Sequence, residues 1–158
     1  MTLPIFDTLL YTVDDGIATV TLNRPEKMNA FTTQMRDDLV AVFDETDAND
    51  DVRVVIVTGA GRAFCAGADL SSGGKTFDYA SRGESARDKY KVGDVYRDGG
   101  GISTLRIFNS LKPVIGAING AAVGLGMTMQ MPIAIRTASP DARLRLVFGA
   151  SCLTPEPA

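Results

Sequence analysis

Histidine is absent from the 158 residues. Its absence removes Ser-His-Asp and Cys-His nucleophilic catalysis, together with any histidine-ligated metal. Cysteine occurs only as Cys65 and Cys152, too few for a disulfide framework or a thiolate metal site, and both lie in segments that suit a small buried side chain. No metal is therefore expected. No apolar run reaches the ~18 residues of a membrane span, and Met1 to Leu10 has neither the basic start nor the apolar stretch of a secretory signal. A cytoplasmic chain without a membrane partner is expected. Basic excess is missing as well: the formal net charge is −3, which leaves no broad surface to neutralise a phosphate backbone and speaks against nucleic-acid binding.

What is present is an ordinary globular composition, 45% hydrophobic, enough for one domain with a moderate core. Leu9 to Val13 and Ile17 to Leu22, separated by Asp14-Asp15-Gly16, read as a β-hairpin. Thr32 can N-cap a helix whose Met35, Leu39, Val42 and Phe43 form one apolar stripe. Val52 to Val57 is a nearly continuous β-branched run, expected as a strand buried on both faces of a parallel sheet. A second apolar strand is expected at Pro113 to Ile118, a short helix at about Gly124 to Met131 and a third strand at about Ile133 to Thr137. The class is α/β, built from repeated strand, turn, helix units. Ser71 to Gly101 holds seven of the sixteen glycines with six Lys/Arg and five Asp/Glu. It reads as a solvated segment or lid with a helix at Ser85 to Tyr96. Leu105, Ile107 and Phe108 are expected to pack beneath it.

Two glycine-rich turns follow apolar strands, Cys65-Ala66-Gly67-Ala68-Asp69-Leu70 and Ile118-Asn119-Gly120-Ala121-Ala122-Val123-Gly124-Leu125-Gly126. Two such turns can aim two backbone N–H groups at one point, the arrangement of an oxyanion hole. A competing motif, Val57-Thr58-Gly59-Ala60-Gly61-Arg62, resembles a dinucleotide-binding fingerprint. Its third glycine would fall at Phe64, and a strand and helix already precede it, which argues against a Rossmann site.

With Asn23-Arg24-Pro25-Glu26-Lys27-Met28-Asn29-Ala30 upstream of the turns, the chain resembles the crotonase superfamily, the enoyl-CoA hydratases and isomerases, from about residue 5 to the C-terminus. The resemblance implies the crotonase-like ββα spiral (the ClpP/crotonase fold), here as residues 1–158 of an N-terminal core without the C-terminal helical region. It also implies an enoyl-CoA thioester substrate of fatty acid metabolism and a lyase or isomerase reaction through an enolate. The oxyanion donors would be the backbone N–H groups of Ala68 and Leu125. No tightly bound cofactor is implied; coenzyme A enters as part of the substrate, held by Lys27, Met28, Ala30, Ala66, Ala68, Asp69, Leu70 and Gly124, with Lys27 on a phosphate. Asp69, beside a tight turn, is expected to bond local backbone amides instead of acting in catalysis.

The pattern is broken at the two glutamates of a hydratase, whose positions carry Thr128 and Phe148; neither can serve as a general base near neutral pH. Glu156, in Leu153-Thr154-Pro155-Glu156, resembles the glutamate of a Pro-Glu subgroup and is the remaining candidate for proton transfer, in an apolar setting from Phe148 and Met131. The family implies trimers or hexamers, so a homo-oligomer is expected. An inactive truncated remnant, or an acyl-CoA-binding or interaction module, stays open as an alternative.

Overall fold

A computed structural model describes residues 3–71, 73, 91–92 and 95–147. Among the described residues, ten strands and three α-helices form a mixed α/β fold with mainly parallel pairing. Strands β1 (Leu9–Asp14) and β2 (Ile17–Leu22) form the expected antiparallel hairpin, with Leu9 opposite Leu22 and Asp14 opposite Ile17. The turn between them places Asp15 at φ 44° and Gly16 at φ 78°, the two left-handed residues that a tight hairpin turn needs.

Helix α1 (Thr33–Ala48) starts where Thr32 accepts a hydrogen bond from the Met35 N–H at 3.1 Å. Its stripe of Met35, Leu39, Val42 and Phe43 is fully buried. The helix returns the chain to β3 (Val54–Gly59), which pairs parallel to β2. That strand is buried on one face through Val55 and Val57, while Val54, Ile56 and Thr58 on the other are only half-covered. The expectation of burial on both faces is corrected accordingly.

The main sheet continues through β7 (Val114–Ile118) to β9 (Ile135–Ala138), in the order β1-β2-β3-β7-β9. At its edge, all four β9 residues are exposed. A second, three-stranded sheet sets β8 (Ala121–Val123) between β4 (Ala63–Cys65) and β10 (Leu144–Arg145), with both pairs parallel.

Three further expectations are corrected. The helix after Val123 is only α3 (Leu125–Thr128), continued by turns to Pro132, which disfavours helical backbone at the residue before it. The helix expected over Ser85 to Tyr96 is replaced, in its described part, by the short antiparallel pair β5 (Lys91–Val92) and β6 (Val95–Tyr96). Residues 85–90 lie outside the described residues. Of the three apolar side chains expected under the lid, Ile107 is buried and Leu105 half-covered, but Phe108 is 68% exposed.

Helix α2 (Gly99–Phe108), which carries them, begins with three glycines and is capped by Asp98, whose carboxylate accepts from the Gly101 N–H at 2.5 Å. Its buried face is Gly100, Gly101, Ser103 and Ile107. Its first residue faces Arg36 of α1 and Phe31: a Cβ at Gly99 would lie 3.4 Å from Arg36 Cδ and 3.6 Å from Phe31 Cε1, ordinary contact distances. Arg106 then ties α2 to α1, with Nε on Asp44 at 2.8 Å and Nη2 on Asp47 at 2.6 Å.

Candidate active site

Because β4 and β8 run parallel and adjacent, the turns that follow them emerge at the same end of the small sheet. The turns also interlock. A Cβ at Gly67, where φ is 99°, would lie 2.9 Å from the Val123 carbonyl oxygen. A Cβ at Gly126 would overlap the Cys65 carbonyl oxygen and come within 2.8 Å of Cys65 Cβ. Each turn therefore presses a glycine onto the backbone of the other, with Ala68 and Leu125 beside those contacts.

Among the described residues, neither of the two N–H groups named from the sequence has a hydrogen-bond acceptor. Phe31 N–H donates to Gly67 O at 2.8 Å, and Asp69 N–H donates to Phe31 O at 2.9 Å. This parallel bridge between Phe31 and Ala68 turns the Ala68 N–H to the opposite side. Leu125 opens α3 after Gly124, whose φ of 54° and ψ of −119° suit glycine alone. Neither Ala68 N–H nor Leu125 N–H donates to another described residue. The start of a helix adds a small positive potential.

The Asn-Arg-Pro segment lies along the first turn and fixes it. Met28 O accepts from the Ala66 N–H at 3.0 Å. The Arg24 guanidinium reaches Ala30 O and pairs with Asp69 at 2.9 Å, with side chains 20% and 13% exposed. Hydrogen bonds from the Ser71 hydroxyl and N–H, followed by that from Arg24, hold the Asp69 carboxyl down at about 2. Fully buried Asn29 accepts from the Arg24 N–H at 2.8 Å and donates to Ala60 O at 2.9 Å and Ala63 O at 2.8 Å. Arg24 and Asn29 thus position the site, a role the sequence did not suggest although both stand in the quoted motif.

Lys27 ends a 3₁₀ turn (Pro25–Lys27) and is exposed. Met28 follows in the left-handed conformation, φ 50°. Leu70 is exposed, and Ala30, Ala66 and Ala68 are half-covered. Lys27, Met28, Ala30, Ala66, Ala68, Asp69, Leu70, Gly124 and Leu125 all belong to the two turns and the segment laid along them. Glu156, Phe148 and Cys152 lie outside the described residues. Met131 is exposed, and its expected packing against Glu156 lies outside the described residues. Thr128 sits in α3 and its hydroxyl donates to Leu125 O at 3.2 Å. Burial pushes the Cys65 thiol up to about 11.

The dinucleotide-like motif is used structurally. A Cβ at Gly59 would meet Phe64 O at 2.7 Å, so the glycine permits the tight connection from β3 to β4. Among the described residues no helix is long and apolar enough to cross a membrane, and no three acidic or cysteine side chains cluster as a metal site.

The sequence pattern of enoyl-CoA hydratase/isomerase proteins matches residues 12–155. The chain belongs to the enoyl-CoA hydratase/isomerase family. It is 40% identical over 134 residues to an enoyl-CoA hydratase of Alternaria alternata, a match that covers 85% of this chain and 41% of that protein. It is 32% identical to the 1,2-epoxyphenylacetyl-CoA isomerase of Escherichia coli K12, with 94% and 53% covered. The solved enoyl-CoA hydratase/isomerase from Mycobacterium paratuberculosis superposes with TM-score 0.72 at 32% identity, covering 95% of this chain and 52% of that one. That from Xanthobacter autotrophicus Py2 superposes with TM-score 0.75 at 27% identity, covering 90% and 49%. The fold of this family member is therefore the crotonase-like α/β fold, and the chain spans about half the length of the relatives it matches.

Proposed function

We propose that the chain binds an acyl-CoA thioester with its carbonyl oxygen between the Ala68 and Leu125 N–H groups, and that these donors stabilise the enolate formed when an enoyl-CoA is isomerised or hydrated. The observation that carries this is the pair of undirected N–H groups on two turns locked together through Gly67 and Gly126. Donors held rigidly before the reaction lose no free energy to reorganisation when charge develops, and removing one typically costs ~10²–10³ in rate.

Thr128 cannot replace a glutamate as general base, and its hydroxyl is already directed to Leu125 O. Hydration by two glutamates is thereby disfavoured, and Glu156 is the carboxylate assigned to proton transfer between α and γ carbons. The Thr128 geometry equally favours a second reading, in which the chain binds acyl-CoA without turning it over. Coenzyme A is part of the substrate in both, with Lys27 on a phosphate and the backbone of residues 66–70 along the pantetheine. Assembly into homo-oligomers belongs to the same proposal.

A thermal melt with and without crotonyl-CoA tests binding. A ligand at 100 times its Kd stabilises the folded state by about 2.7 kcal/mol, and a cooperative melt that does not shift overturns the proposal. Turnover that survives Glu156→Gln removes that residue from the mechanism, while absence of turnover in the unmodified chain with binding intact selects the non-catalytic reading.

A further inference from the structure

We infer that Gln130 is a positioning residue of the oxyanion site: its buried side-chain amide replaces its own backbone N–H on the Gly126 carbonyl and thereby fixes the short helix that presents the Leu125 N–H. The inference rests on the acyl-CoA proposal and adds to it a residue outside the two turns.

In an α-helix the carbonyl of residue i accepts from the N–H of residue i+4. Helix α3 keeps this pattern twice, from Thr128 N–H to Gly124 O at 3.0 Å and from Met129 N–H to Leu125 O at 2.9 Å. The third bond is missing, because the Gln130 N–H turns to Met127 O at 3.2 Å. Met131 N–H likewise donates to Thr128 O at 2.9 Å, so the chain tightens to 3₁₀ geometry ahead of Pro132. Among the described residues no backbone N–H donates to Gly126 O. The Gln130 side chain fills the gap, with Nε2 at 2.5 Å from that oxygen. It is fully buried, so water does not compete for the carbonyl.

This bond acts where the helix has least support. Isolated helices shorter than ~12–15 residues are marginal in water, so the four residues of α3 depend on what surrounds them. Gly124 O receives the N–H groups of Met127 and Thr128, and Leu125 O receives the Met129 N–H and the Thr128 hydroxyl. Gly126 O has the Gln130 amide alone. Gly126 is also the residue pressed onto Cys65, so it is held by β4 on one side and by Gln130 on another. The Leu125 N–H lies in the same turn of helix, and what fixes that turn aims the donor before charge develops.

The other end of the amide indicates that stability is not what the residue serves. Gln130 Oε1 is buried and has no hydrogen-bond donor among the described residues. The amide cannot be reversed to relieve it, because only Nε2 can donate to a carbonyl. A buried acceptor without a donor is unfavourable, and a methionine of similar length would fill the same volume without one. The bond gained at Gly126 and the loss at Oε1 offset each other, so the net effect of the amide is geometric.

The test uses butyryl-CoA, which has no double bond to hydrate or shift, and S-butyl-CoA, the thioether that lacks the carbonyl oxygen. Calorimetry gives both dissociation constants for the 158-residue chain and for Gln130→Met. The unmodified chain is expected to prefer the thioester about tenfold, the contribution of a hydrogen-bonded carbonyl. In Gln130→Met the preference should fall to about threefold or less, with S-butyl-CoA within about twofold of its parent value and Tm within about 4 °C. The infrared stretch of a ¹³C-labelled thioester carbonyl should move in the variant toward its value for the free ligand. A preference that stays tenfold, or a loss shared equally by both ligands, overturns the inference and leaves the acyl-CoA proposal standing. A variant that no longer melts cooperatively also overturns it, since the amide is then a general prop of the fold. A second measurement needs no variant: NMR of the unmodified chain should find a coupling through the hydrogen bond between Gln130 Nε2 and the Gly126 carbonyl carbon, and its absence refutes the bond. If the unmodified chain binds neither ligand, or both equally, the oxyanion proposal itself falls and this inference with it.

Discussion

Gly126→Ala is the perturbation that bears most directly on the site. The added Cβ would overlap the Cys65 carbonyl oxygen and sit 2.8 Å from Cys65 Cβ and 2.9 Å from the Cys65 carbonyl carbon. Carbon atoms normally approach to about 3.5–4.0 Å, so α3 and β4 must separate by about 1 Å. The obstacle is backbone on both sides, which cannot rotate away, and overpacking of this kind costs about 1–3 kcal/mol or more. Because the clash is with fixed backbone the upper end of that range applies, and alanine returns up to about 1 kcal/mol of helix propensity, which leaves a net loss near 2 kcal/mol. For a chain of this size that lowers Tm by about 4–8 °C. The same 1 Å carries the Leu125 N–H away from the Ala68 N–H, and a misplacement of that size can cost about 10²-fold in function. Gly116→Ala is the internal control, because its Cβ would meet only side-chain atoms at ordinary contact distance, Ile118 Cδ1 at 3.4 Å, Arg136 Cγ at 3.5 Å and Ile133 Cδ1 at 3.6 Å; its stability should stay within about 1 kcal/mol. Calorimetric melts and crotonyl-CoA titrations of the two variants decide the matter. A Gly126→Ala protein as stable as the parent would refute the close approach, and one that is destabilised but binds the thioester normally would separate α3 from the oxyanion site.

The other predictions concern the supports of that site. Asp69→Asn should lose about 1 kcal/mol at pH 7: a pKa lowered from 3.8 to about 2 is nominally about 2 kcal/mol, reduced by solvent screening at the surface. Because the folded pKa is depressed, this stability is present above about pH 4 and lost as the pH falls toward 2. Denaturation curves of parent and variant should therefore converge at pH 2, and a gap that persists there would assign the loss to packing. Asn29→Ala strands the Ala60 and Ala63 carbonyls and the Arg24 N–H, at about 1–3 kcal/mol for each buried group left unsatisfied, so urea titration should find the variant largely unfolded at 37 °C. Thr32→Ala removes the N-cap of α1 and should cost about 1 kcal/mol in the same titration. In a Cys152→Ala background, a thiol reagent at pH 8 should leave Cys65 unmodified until the chain is unfolded, because its thiol is buried and raised to about 11.

Where hydrophobic spacing governs structure, the sequence was readable. The hairpin of β1 and β2, the α1 stripe and β3 all follow from apolar periodicity combined with a cap or a turn residue, and the structure repeats them within a residue or two. Spacing says nothing where packing uses glycine. The buried face of α2 is Gly100, Gly101, Ser103 and Ile107, so it carries little hydrophobic signal and a glycine run resembles a loop. The one available clue was Asp98, an N-cap three residues before the N–H it accepts.

The site divides along the same line. Glycines at 67, 124 and 126 marked both turns, since a residue without Cβ is what tolerates φ of 99°, φ of 54° combined with ψ of −119°, or the contact with Cys65. The residues that hold the turns in register were less visible. Arg24 and Asn29 are polar, close in sequence and unremarkable in type, yet each bridges to chain more than thirty residues away, Arg24 to Asp69 and Asn29 to Ala60 and Ala63. Such long-range polar contacts leave no periodic trace. Their importance follows from burial: a fully buried amide must satisfy its donors and acceptor, and Asn29 does so using the carbonyls on either side of the β3–β4 connection. The placement of the Ala68 N–H therefore depends on an asparagine that does not touch it, through β4 and the Met28–Ala66 bond.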